Sequence, residues 1–245
     1  MLAGKDFELE PSGLLKFADH VVHPEPEIRL LEDARNVFMK KTAEPGDKPL
    51  YYMYRGVHYE GDAQLFADNG IRHDLTVILP GKIDREYNKT IGHFHPAKPN
   101  SSETYPEYYE VLHGEALYVL QKNSRSGEVE EIMAVEAKKG DKVFIPSGYG
   151  HVTINPGEMP LVMANLIEST FKSLYEPFAA KKGAAYYYVE TDNGRGDFVK
   201  NQNYHNSVGL KIMAAPNLPQ PVNLNKEKTL YENFILEPQL FDILK

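Results

Sequence analysis

A chain of 245 residues with 42% hydrophobic and 25% charged residues has the make-up of one or two globular domains with a sizeable core. It contains no cysteine, which excludes a disulfide framework, a thiolate zinc site, an iron–sulfur cluster and a cysteine nucleophile, so any metal must be held mainly by nitrogen and oxygen. Its 27 basic and 35 acidic residues leave a formal charge of −8, the wrong sign for neutralising phosphate backbones, and no apolar run nears the roughly 20 residues that span a bilayer. The expectation is a cytoplasmic protein with neither a nucleic-acid nor a membrane partner.

Residues 1–48 read as an N-terminal arm. Within Leu14 to Lys41, apolar residues at helix-compatible spacing (Ile28, Leu30, Leu31, Ala34, Val37, Phe38) predict one short amphipathic helix after the breaker His23-Pro-Glu-Pro26. Glu44-Pro-Gly-Asp-Lys-Pro49 marks a turn-rich boundary. Beyond it come short runs rich in Val, Ile, Tyr, Thr and Phe, separated by Gly, Pro, Asn and Asp. They predict strands at Leu50–Tyr54, Leu75–Leu79, Tyr108–Leu112, Glu115–Gln121, Glu128–Val135, Lys142–Ile145, His151–Asn155 and Leu161–Ile167. That spacing is that of an antiparallel sandwich or barrel over residues 49–175, a mainly β architecture. Residues 176–245 form a C-terminal extension with a strand at Ala184–Val189, an extended segment at Asn217–Val222 and an apolar-patterned end at Leu230–Leu244, packing on the barrel or on a partner subunit.

Of nine histidines, His20, His23, His58, His73, His113 and His205 stand alone in turns or among polar neighbours and read as exposed or structurally hydrogen-bonded. Two segments differ. In Gly92-His93-Phe94-His95, strand alternation puts both imidazoles on one face and Phe94 on the other. Glu107 opens the next predicted strand and is able to return to the same face. In Gly140-Asp-Lys-Val-Phe-Ile-Pro146-Ser-Gly148-Tyr-Gly-His151, a Pro–Gly turn between two strands presents His151 inward. Three nitrogens and a carboxylate then converge on one divalent ion, and the ligands alone do not choose among Fe²⁺, Mn²⁺, Ni²⁺ and Zn²⁺.

The second segment, continued to Asn155, carries every fixed position of the second cupin motif. The first places eleven residues, Pro96 to Pro106, between His95 and Glu107, where general cupins have three or four. Together with Thr76-Val-Ile-Leu-Pro80-Gly81, Glu86, Thr90 and Glu107-Tyr-Tyr109, the chain resembles the cupin-type phosphoglucose isomerases found mainly in archaea, over roughly Pro49 to Tyr175. The resemblance implies a cupin jelly-roll β-barrel, one divalent metal ion on His93, His95, Glu107 and His151 with iron foremost, and a homodimer. It also implies interconversion of glucose 6-phosphate and fructose 6-phosphate, with Thr76, Thr90 and Gly92 on the sugar phosphate and Tyr52 and Tyr175 at the rim. Three positions depart from the family: Ser147 replaces a second proline, and Ile167 and Ser173 stand where a tyrosine and a histidine are common.

Within that frame Glu107 is the catalytic base of an enediol route, or only a metal ligand if hydride shifts directly, and Tyr109 orients it or donates to a substrate hydroxyl. With a net charge of −8, the anionic substrate is expected to be held by local hydroxyls, an N–H and the metal instead of a broad positive field. A different sugar-phosphate isomerase or epimerase, a cupin dioxygenase and a non-catalytic sugar-binding cupin are the rival readings.

Overall fold

The computed structural model describes residues 6–205 and 208–245. Two facing sheets dominate it. The larger is built from β1 (Glu27–Leu30), β2 (Pro49–Arg55), β3 (Ile71–Ile78), β4 (Glu107–His113), β7 (Lys142–Ile145) and β9 (Leu161–Glu168), in the spatial order β7-β4-β9-β3-β2-β1, all antiparallel. The smaller has β5 (Glu115–Asn123), β6 (Val129–Lys138), β8 (Tyr149–Ile154) and β12 (Lys211–Ala214), in the order β8-β5-β6-β12, with only β6 and β12 parallel. Consecutive strands that switch between the sheets make a jelly roll, as expected for a mainly β chain punctuated by turns. β10 (Tyr186–Glu190) and β11 (Gly196–Lys200) join the short strands Lys82–Ile83 and Glu86–Tyr87 in a further sheet.

Three apolar clusters follow from this layering. Between the sheets lie Tyr51, Ile78, Tyr109, Tyr118, Val143, Ile145 and Met163. The far face of the larger sheet packs Tyr54, Leu75, Val77 and Tyr108 against Phe66 of a short helix, α2 (Ala63–Asn69), and against Phe234, Phe241 and Leu244 of the C-terminal segment. On the far face of the smaller sheet, Val119, Val152 and Ile154 meet Phe178 and Ala185.

The eight barrel strands fall within a few residues of their sequence expectations, and Lys142–Ile145 coincides. The N-terminal helix does not. Its α-helical part, α1, is a single turn, Leu31–Ala34, followed by a 3₁₀ turn at Arg35–Val37. Ile28 and Leu30 instead lie in β1, because the edge of β2 offers them a ladder, Ile28 opposite Tyr52, that outweighs weak helical periodicity. Leu230–Leu244 is helical, as α4 (Leu230–Leu236) and a 3₁₀ stretch at Pro238–Leu244, with α3 (Glu176–Ala180) earlier in the extension.

Candidate metal centre and its cavity

The two histidine segments meet through backbone pairing. His93 N–H donates to His151 O at 3.1 Å and His151 N–H to His93 O at 3.0 Å, so a residue pair far apart in sequence sits side by side on one face. On its other side the His93–His95 segment pairs with Leu174, and Phe94 turns away to pack on Phe178. Gly92 precedes this segment with φ +77°, and a Cβ there would run into the Val152 side chain. Glu107 enters from the inner face of β4. The ligand atoms of His93, His95, Glu107 and His151 all lie within 4.8 Å of one another.

Two of the four groups are oriented from behind, whereas the buried Nδ1 of His151 has no hydrogen-bond partner. His95 Nδ1 donates to Tyr105 O at 2.7 Å, which leaves Nε2, 3.1 Å from His93 Nε2, with its lone pair toward the cluster. Asn165 Nδ2 donates to Glu107 Oε1 at 2.8 Å, while the buried Oε2 has no hydrogen-bond partner and stands 3.4 Å from both His95 Nε2 and His151 Nε2. Burial lowers His93 and His151 well below the ordinary imidazole range and His95 to about 4, and raises Glu107 well above the ordinary carboxylate range. Neutral imidazoles around an orphaned carboxylate oxygen are the donor set a divalent cation takes, and its charge would return Glu107 to the anion. The residues present therefore fit a metal ion.

The cluster opens into a cavity of about 540 Å³. Its wall is the inner face of the larger sheet, laid out in rows by strand register: Glu27, Met53, Thr76 and Met163 in one, Arg55, Asp74, Asn165 and Tyr109 in the next. Thr90, Gly92, His93 and His151 face these rows from the opposite side, and Ile167, Ser173 and Tyr175 complete the rim. Thr76, Thr90, Gly92, Tyr109 and Tyr175 thus share the cavity with the cluster. Tyr109 Oη lies 3.2 Å from His151 Nε2, and burial pushes its pKa well above the ordinary phenol range, so it stays protonated.

The family model described as glucose-6-phosphate isomerase matches residues 29–207. Glucose-6-phosphate isomerase of Thermococcus litoralis is 30% identical over 194 residues, covering 76% of this chain and 92% of that protein. The enzyme of that name from Pyrococcus horikoshii is 28% identical over 207 residues, 82% of this chain and 95% of its own. The chain belongs to the glucose-6-phosphate isomerase family. Partial overlaps with solved structures, such as Bacillus subtilis oxalate decarboxylase at a TM-score of 0.37 and 19% identity over 54% of this chain and 29% of that one, add nothing to the assignment.

One feature of this isomerase-family site differs from the sequence expectations. Tyr52 is not in the cavity: strand alternation turns it to the far face of the sheet, where its hydroxyl points to Ser12 O at 3.5 Å, and the neighbouring Tyr51 and Met53 line the cavity instead. The cavity carries fixed charges of both signs, with Arg29, Arg55, Arg72 and Lys172 lining it beside Glu27, Asp74 and Glu168. Arg72 forks onto Asp74 at 2.8 and 2.9 Å, and Arg55 bonds Glu27 at 2.9 Å with Asp74 at 3.6 Å. The alternation Glu27-Ile-Arg-Leu30 was the available sign that β1 sends two charged side chains to one face.

Proposed function

We propose that this chain is a metal-dependent aldose–ketose isomerase that interconverts glucose 6-phosphate and fructose 6-phosphate in the cytoplasm, as a homodimer with one divalent ion per subunit, iron foremost. The convergence of His93, His95, Glu107 and His151 beside a cavity that three of them line is the observation that carries this reading, together with family membership. His93, His95, Glu107 and His151 would hold the ion, which when bound supplies Lewis-acid polarisation of the sugar oxygens on C1 and C2.

The chain's own residues do the rest. Glu107, fixed through Oε1 by Asn165, takes the proton from C2 of the open-chain aldose and returns it to C1, while the hydroxyl proton crosses from O2 to O1. Tyr109, beside Glu107 and His151, keeps its proton and donates to a substrate hydroxyl as charge develops. Thr76, Thr90, Gly92 and Tyr175 receive the remainder of the sugar phosphate. Thr90 Oγ1 already accepts from Thr153 N–H at 3.0 Å, which aims its own O–H outward as a donor.

The test is coupled turnover of fructose 6-phosphate, without oxygen, before and after chelation, with ions returned one at a time. Turnover should vanish on chelation and come back best with Fe²⁺. Full activity after exhaustive metal removal would sink the metal-dependent reading, and activity restored only in the presence of O₂ would replace it with an oxygenase.

A further inference from the structure

The phosphate of the proposed substrate carries close to two negative charges, yet the residues implied for it are hydroxyls and a glycine. Among the cavity's cations, Arg55 and Arg72 are occupied by Glu27 and Asp74, and Lys172 is an exposed lysine that water solvates. Arg29 is neither. Among the described residues no salt bridge involves it, and its Nε is buried without a hydrogen-bond partner although the side chain lines the cavity. A half-buried guanidinium with one buried, unsatisfied N–H, and with only the neutral Tyr51 hydroxyl and no carboxylate beside it, is suited to an anion.

Its position selects the phosphate end over the metal end. Arg29 stands directly across the β1–β2 ladder from Tyr51, and both line the cavity. Tyr51 Oη is the acceptor for Ile91 N–H at 3.4 Å, which places this pair beside the Thr90–Gly92 segment, and Tyr175 lies within electrostatic reach of Tyr51. Arg55 and Arg72, by contrast, are the guanidinia that act on Glu107.

Resting on the isomerase reading, we infer that Arg29 is the residue that anchors the substrate's phosphate, forking onto two of its oxygens while Thr90 and Gly92 hold the other side. A strand from outside the cupin motifs thereby gives an acidic protein a local charge, free of any carboxylate partner, for its anionic substrate.

Arg29→Met keeps the length and apolar stem and removes the fork. The KM for fructose 6-phosphate and the inhibition constant of inorganic phosphate should both rise about 10- to 100-fold, with kcat within about threefold of wild type. Inhibition by unphosphorylated fructose should not change, which a merely structural role of Arg29 would not permit. Arg29→Lys, which keeps charge without the fork, should fall between the two and serves if the methionine variant misfolds. Unchanged KM and unchanged phosphate inhibition in either folded variant overturn the assignment while leaving the isomerase intact. A wild-type protein without turnover sinks the isomerase reading instead, and calorimetric titration of inorganic phosphate then decides Arg29, with equal affinity in wild type and variant overturning it.

Discussion

The two faces of the six-stranded sheet are both covered, and they are built from the same strands. On the inner face β3 presents Arg72, Asp74 and Thr76, and on the outer face His73, Leu75 and Val77. β4 sends Glu107 and Tyr109 inward and Tyr108 outward, beneath Phe241 at a ring separation of 6.0 Å. Around the cavity the usual alternation of apolar inside and polar outside is inverted, while the rest of the inner face keeps an apolar core. The inside is a water-accessible cavity that needs polar groups, and the outside is roofed by the C-terminal segment and needs apolar ones. One register step exchanges a cavity wall for a structural one.

The comparison predicts that inner-face changes cost turnover and outer-face changes cost stability. The largest effect belongs to Glu107→Gln, which preserves shape and the Asn165 contact region but removes the base. The kcat should drop about 10²- to 10⁴-fold with sugar-phosphate binding largely kept. Steady-state kinetics and direct titration of fructose 6-phosphate check it. A variant retaining more than about a tenth of wild-type kcat would reduce Glu107 to a ligand and favour a direct hydride shift.

The outer face answers through His73. It is 1% exposed, gives Nδ1–H to Val57 O at 2.8 Å, leaves Nε2 without a partner and meets the Tyr231 ring at 5.0 Å. Burial lowers its pKa from 6.5 to about 4. The unfolded chain therefore binds the proton first: stability is intact above pH 6.5, falls as pH drops through the window down to about 4, and levels off below it. The loss attributable to this residue is about 3 kcal/mol. Denaturant titrations of wild type and His73→Gln at pH 7 and pH 4 isolate it as a difference, since every other group is common to both. Equal pH dependence in the two proteins would show that His73 is not the group that titrates, and a large change in kcat at pH 7 would break the division between faces.

How much of this was legible follows from the same geometry. The barrel strands were readable because turns such as His113-Gly114 and Lys139-Gly140 punctuate them, with Gly114 at φ +79° and Gly140 at φ +89°. The metal cluster was readable because His-x-His states its own facing and the ligand types are few. Tyr52, expected at the rim from the resemblance alone, faces away because Tyr51 and Tyr52 are identical in chemistry and opposite in direction, and alternation says which residues share a face without saying which face holds the cavity. β1 and β12 were not readable because each is a short edge strand stabilised by a ladder with a partner elsewhere in the chain. Arg29 was hidden with β1, as one more charge in a mixed segment.

A smaller change probes how the inner face is held in register. The eleven-residue insert from Pro96 to Pro106 ends in a reciprocal pair: Thr104 N–H donates to Ser147 Oγ at 2.8 Å and Gly148 N–H donates to Thr104 Oγ1 at 2.8 Å. Tyr105, the next residue, supplies the carbonyl that orients His95, and the turn at Gly148 leads into His151. The serine that stands in place of the family's proline is thus a tie between the two halves of the metal site. Ser147→Ala removes one neutral hydrogen bond, worth about 1 kcal/mol. The melting temperature should fall by about 2–4 °C. Metal affinity should weaken by a few-fold, because His95 is oriented from the loosened side, while kcat at saturating metal stays within about twofold. A lowered melting temperature with unchanged metal affinity would make the tie part of the barrel's stability alone. A large loss of kcat at saturating metal would instead mean that the insert positions Glu107 directly, since the insert ends at Pro106 and Glu107 follows it.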